Sequence, residues 1–99
     1  MWTKAAKISD FEEGKGIVVS IGGRDIALFK SAGAFYAINN VCPHRGGPLG
    51  EGFVEGAEVT CPWHAWAFDL KTGECSTLPG ERQPTYPTKI QNSELFIDV

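Results

Sequence analysis

The chain has no run of the roughly 20 apolar residues that a membrane-spanning helix requires. Nor does an apolar stretch of signal-peptide length follow Met1-Trp2-Thr3-Lys4-Ala5-Ala6-Lys7. Both absences predict a soluble, cytoplasmic protein. A basic excess is also missing: nine Lys and Arg face twelve Asp and Glu, a net charge of -3. That balance argues against nucleic acid or an anionic membrane as a partner. Cysteine is scarce, and Cys42, Cys61 and Cys75 are odd in number, too few for a disulfide-stapled secreted scaffold. A reducing compartment, with some of these thiols serving as metal ligands, is the expectation. There is no internal repeat, low-complexity tract or linker, and no GxGxxG fingerprint of a dinucleotide site. The 99 residues are therefore read as one domain, 1–99, burying about 65% of its unfolded surface.

What is present favours short strands. Twelve glycines and six prolines make turns frequent, and 42% hydrophobic with 21% charged residues is ordinary for a globular chain. Lys15–Ile21 and Asp25–Lys30 flank Gly22-Gly23-Arg24, a hairpin signal, and Ala34–Ile38 follows the turn Ser31-Ala32-Gly33. Thr88–Ile90 and Leu95–Val99 flank Gln91-Asn92-Ser93-Glu94 as a further hairpin. Ser9 to Glu13 offers one helical turn, with Ser9 as N-cap and Glu12 three residues on. The fold class expected is all-β, a small antiparallel sandwich or barrel.

Between about residues 41 and 81 the texture changes. Gly46, Gly47, Gly50, Gly52 and Gly56 crowd one stretch, with Pro43, Pro48 and Pro62 among them. Long ordered loops in a compact domain are usually functional. Both histidines of the chain lie here, each beside a cysteine: Cys42-Pro43-His44, and Cys61-Pro62-Trp63-His64. As spacing this is C-x-H, sixteen residues, then C-x-x-H. Two loops that each offer one thiolate and one imidazole are what a pocket for a single metal centre needs. A structural Cys₂His₂ zinc site, making the chain a zinc-stabilised binding module, is one alternative, although zinc knuckles usually segregate cysteines from histidines. A Cys/His nucleophile pair is another, with no acidic or amide orienter in evidence.

Cys-Pro-His-Arg-Gly-Gly-Pro-Leu and Cys-Pro-Trp-His-Ala-Trp-Ala-Phe-Asp resemble the two cluster loops of Rieske [2Fe–2S] ferredoxins. The similarity runs on through Asp69-Leu70-Lys71-Thr72-Gly73-Glu74 to the final strand pair. The resemblance implies a Rieske-type fold whose cluster-binding subdomain is formed by two loops. It implies one [2Fe–2S] cluster per chain, with Cys42 and Cys61 on one iron and His44 and His64 on the outer one. Two ferric irons, two sulfides and two thiolates sum to zero, so this centre accepts an electron more readily than a four-cysteine cluster. The outer histidine edges are expected to be partly exposed, near a docked partner.

Around the ligands, Gly46 and Gly47 let the backbone approach the sulfides, and equally serve a tight turn. Leu78-Pro79-Gly80 matches the family's third, proline-containing loop. Trp63 is placed to shield the centre, Trp66 and Phe68 belong to the core, and Cys75 is a bystander thiol. Relatives in respiratory and photosynthetic complexes carry a disulfide beside the cluster; the corresponding residues here are Gly47 and Trp63, so that bond cannot form. The stretch Ala65-Trp66-Ala67-Phe68 also lacks the hydroxyls found in those proteins, which implies a potential low in the Rieske range.

With both histidines used, no facial triad remains for a mononuclear iron, so the chain is expected to carry electrons rather than to catalyse. The implied partners are a flavin-dependent ferredoxin reductase and a terminal Rieske oxygenase. The small subunit of an assimilatory nitrite reductase, paired with its large subunit, is the alternative. Arg45, beside His44, is a candidate for recognising a partner.

Overall fold

The computed structural model describes residues 1–41, 47–63, 65–78 and 80–99. Ten strands are described: β1 (Trp2–Lys7), β2 (Gly16–Ile21), β3 (Arg24–Ser31), β4 (Ala34–Asn39), β5 (Phe53–Glu55), β6 (Glu58–Thr60), β7 (Ala67–Asp69), β8 (Thr85–Tyr86), β9 (Thr88–Gln91) and β10 (Glu94–Asp98). They form three antiparallel sheets, ordered β1-β10-β9, β2-β3-β4-β8 and β5-β6-β7.

The expected hairpins form where turn chemistry allows. Gly22 and Gly23, at φ +59° and +78°, join β2 to β3 in a two-residue loop that pairs Ile21 with Arg24. Positive φ at both central positions is what a hairpin with the native twist requires. Ala32-Gly33 and Asn92-Ser93 adopt the same left-handed pair, the latter without any glycine. The N-terminal turn differs from expectation. A 3₁₀ turn spans Ile8–Asp10 with Lys7 as its N-cap; Ser9 lies inside it, and the Lys7 N–H donates to Asp10 Oδ2 at 3.2 Å. The carboxylate one residue beyond Ser9 wins because it reaches back to a free amide. Sequence reading also passed over β1, whose Trp-Thr-Lys-Ala-Ala-Lys has weak strand propensity; pairing with β10 holds it in place.

Strand β3 is the hinge of the packing. Its run Ile26-Ala27-Leu28-Phe29 is wholly buried, because both faces of the central sheet are covered. Ile26 and Leu28 face Phe11, Leu95 and Ile97, closing a sandwich against the β1-β10-β9 sheet. Ala27 and Phe29 look the other way, onto Leu49, Val59, Cys61, Phe68, Leu70 and Cys75. The β5-β6-β7 sheet and its loops are thus seated on the back of the sandwich by a second apolar core. Phe68 and Trp66 behave as expected of core residues, Phe68 fully buried and Trp66 half-buried against this cluster.

Candidate metal centre

The first Cys/His loop springs from the end of β4. Val41 bridges Pro48, which brings the two described flanks of this loop together. Asn40 makes three hydrogen bonds at this junction, one to β3 and two to the far flank of the loop. Its N–H donates to the Asp25 carbonyl at 2.8 Å, its carbonyl accepts from Leu49 N–H at 2.8 Å, and its Oδ1 accepts from Gly50 N–H at 2.7 Å. Asn40 is buried, and its side chain supplies an acceptor the backbone cannot.

The second loop is the connection between β6 and β7. Thr60 pairs with Ala67, Cys61 N–H donates to the Trp66 carbonyl at 2.7 Å, and Ala65 N–H donates to the Cys61 carbonyl at 3.1 Å. Ala65 takes φ +58° to close it. Cys61 opens this loop and is 2% exposed, its thiol unbridged. Trp63, in contrast, is 59% exposed.

Gly47 is where the two loops meet. A β-carbon there would lie 2.7 Å from Cys61 Sγ and 3.1–3.2 Å from the Trp63 ring. Glycine at position 47 is therefore a packing requirement, and the backbone of the first loop comes directly against the thiol of the second. Trp63 packs on the same glycine while exposing much of its ring. That position places the ring on the solvent side of the junction.

The third loop runs beside β7. Phe68 bridges Cys75, and Cys75 N–H donates to the Glu81 carbonyl at 2.9 Å. Thr77 Oγ1 accepts from Ala67 N–H at 2.9 Å, and Cys75 Sγ accepts from Leu78 N–H at 3.3 Å. Cys75 is buried in the apolar core with Phe29 and Phe68. Gln83, which follows this loop, donates from Nε2 to the carbonyls of Asn39 and Val41.

Of the four expected ligands, Cys61 is described. Cys42, His44 and His64 lie outside the described residues, as do Pro43, Arg45, Gly46 and Pro79. Among the described residues no three His, Cys, Asp or Glu side chains converge. What is described fits a thiolate-bound group: an unbridged, buried cysteine and, at Gly47, a glycine that leaves its sulfur room. Sequence reading missed Asn40 and Gln83. Asn40 at the doorstep of the Cys/His loop was a readable signal for a loop-closing amide. Gln83 gave none, because its partners lie 42 and 44 residues away.

Comparison with known proteins extends over the whole chain. The family model of the Rieske [2Fe–2S] domain matches residues 1–90. The ferredoxin component of a naphthalene 1,2-dioxygenase system from Pseudomonas putida is 36% identical over 99 residues, covering 99% of this chain and 95% of its own. The ferredoxin subunit of a 3-phenylpropionate/cinnamic acid dioxygenase from Shigella boydii is 40% identical over 97 residues, covering 96% and 91%. Among solved structures, a chain named for the small subunit of an NADH-dependent nitrite reductase from Mycobacterium tuberculosis superposes with a TM-score of 0.91. It is 28% identical and covers 98% of this chain and 93% of its own.

Proposed function

The chain belongs to the Rieske [2Fe–2S] domain family, and from that premise we propose that it is the ferredoxin of a multicomponent dioxygenase system. It receives single electrons from a flavin-dependent ferredoxin reductase and delivers them to a terminal Rieske oxygenase, without catalysing a substrate reaction itself. The observation that carries this reading is the 36–40% identity, end to end, with dioxygenase ferredoxins. Such relatives match in length as well as in motif, so the chain has the same size and organisation as a carrier.

In this reading residues 1–99 are a single soluble, cytoplasmic Rieske domain with its cluster-binding region at about 41–81. One [2Fe–2S] cluster is held by Cys42, His44, Cys61 and His64. The bound cluster supplies one-electron storage at a centre that gains a single negative charge on reduction. The chain's own residues do the rest. Asn40 closes the loop carrying Cys42 and His44, while the Cys61–Trp66 hydrogen bond closes the loop carrying Cys61 and His64. Gly47 leaves space at the Cys61 sulfur, and Trp63 covers that junction. A buried cysteine ligand on the inner side and histidines on the outer side would leave imidazole edges for a docked partner.

Membership in this family disfavours the zinc-module reading and the Cys/His nucleophile. The nitrite reductase reading keeps the support of the 0.91 TM-score, at 28% identity, to the Mycobacterium tuberculosis chain. The test is reconstitution. Oxygenase turnover driven by NADH and a flavin reductase should depend on this chain and saturate with it. A stable complex with a nitrite reductase large subunit, and no transfer to any oxygenase, would replace the first reading with the second.

A further inference from the structure

Gln83 is 2% exposed, one of three buried polar residues among those described, with Ser31 and Asn40. Its setting follows from the residue after it. Strand β8 pairs with β4 through Ala37–Tyr86 and Ile38–Thr85, so the next pair in register is Asn39 with Pro84. Asn39 N–H does donate to the Pro84 carbonyl, at 2.9 Å. The return bond cannot form, because proline has no N–H. The Gln83 side chain supplies it instead: Nε2 donates to the Asn39 carbonyl at 2.7 Å and, with its second hydrogen, to the Val41 carbonyl. One amide nitrogen thereby carries the ladder two residues beyond the end of β8, to the residue that precedes Cys42.

The other side of Gln83 is equally fixed. Its N–H donates to the Gly73 carbonyl at 2.7 Å. A β-carbon on Gly73 would overlap the Gln83 carbonyl oxygen, and Gly73 sits at φ +80°, so this approach needs glycine twice over. Gly73 in turn closes the turn begun by Asp69, whose Oδ1 accepts from Lys71 and Thr72 N–H. Gln83 thus joins two separate parts of the cluster-binding region.

We infer that Gln83 is a positioning residue for the cluster: its side-chain amide stands in for the missing proline donor and fixes the main chain that enters the Cys42 loop. The peptide unit is planar, so holding the Val41 carbonyl holds the plane from which residue 42 continues. The inference rests on the proposed reading of Cys42 as a ligand. Glutamine suits the place because it presents two donors on one nitrogen at the end of a flexible stem. An apolar side chain of equal length would leave two carbonyls without their donors at the edge of the loop.

The test uses the cluster-loaded chain and three variants. Gln83→Met keeps the length and volume of the side chain and removes both donors; Gln83→Glu keeps the shape with at most one donor. Leu95→Ala truncates the sandwich core away from the loops and serves as the control for loss of stability. Iron release to a chelator from folded protein should be at least about tenfold faster in Gln83→Met, tenfold being the factor expected for the first of its two lost hydrogen bonds. Its electron paramagnetic resonance line shape should also change. Gln83→Glu, whose ionised carboxylate can only accept and would face two carbonyl oxygens, should lose iron at least as fast, and Leu95→Ala should match the wild type in both readouts despite a lower melting temperature.

Wild-type release and line shape in a folded Gln83→Met protein would overturn the inference, as would Leu95→Ala reproducing both effects. So would failure of both Gln83 variants to form β structure by circular dichroism, since Gln83 would then determine the fold rather than the site. A Cys42→Ser protein that keeps its cluster would instead refute the ligand reading. That outcome is separately visible as retained colour.

Discussion

The α-carbon of Gly47 sits so close to the Cys61 thiol that a β-carbon added to it would be 2.7 Å from Sγ. Two loops separated in sequence by β5 and β6 come together at this contact. Real β-carbons essentially never come this near another heavy atom, and the thiol of Cys61, 2% exposed, is short of room to yield.

Gly47→Ala should therefore fold yet hold its cluster poorly. Overpacking of this kind costs about 1–3 kcal/mol, and the strain falls on the Cys61 side chain. Iron and sulfide per chain, measured after purification, should drop well below two each while circular dichroism stays that of the wild type. Full loading would show that the loops separate without cost.

Removal of Cys75 should not touch the cluster. Its sulfur lies in the core with Phe29 and Phe68 and accepts only a weak bond from Leu78 N–H. Cys75→Ser should keep colour and paramagnetic resonance, with a melting temperature lowered by the roughly 1–3 kcal/mol cost of burying a hydroxyl. Cys61→Ser, in the same assays, should be colourless. A colourless Cys75→Ser protein would overturn the ligand set.

Asn40→Ala leaves the buried Gly50 N–H without its acceptor, a loss of about 1–3 kcal/mol. Hydrogen exchange should quicken first at Leu49 and Gly50, the amides that Asn40 holds, and only later in β2 and β3. Uniform acceleration across all three sheets would mean that the residue supports global stability alone.

The reduction potential should lie low in the Rieske range, on the order of −150 to −100 mV. Residues 65–68 carry no hydroxyl, and Gly47 and Trp63 exclude the flanking disulfide. Fewer donors to the cluster stabilise its reduced, more negative state less. A redox titration giving a value above about +100 mV would show another influence outweighing these absences.

Much of the fold was legible because its signals are local. Turn pairs such as Gly22-Gly23 and Ala32-Gly33 dictate two-residue hairpins by their allowed φ values, and the apolar run Ile26–Phe29 marks a strand covered on both faces. The short strands β5 to β8 were harder to see. Three residues of Phe-Val-Glu or two of Thr-Tyr carry too little pattern, and only pairing with neighbours defines them.

The amino-acid sequence alone determined the chemistry of this protein. One cysteine and one histidine in each of two loops is a covalent fact of residue order, and the motifs around them carry the resemblance that implies the cluster. Tertiary structure decided how those loops are held: the glycine against Cys61, the Asn40 amide at the base of one loop, and the Gln83 amide replacing a donor that Pro84 lacks. The physical reason is separation along the chain. Each of these contacts links residues 10 to 44 positions apart, where neither propensity nor periodicity reaches, and only the packing of three sheets on two cores brings them together.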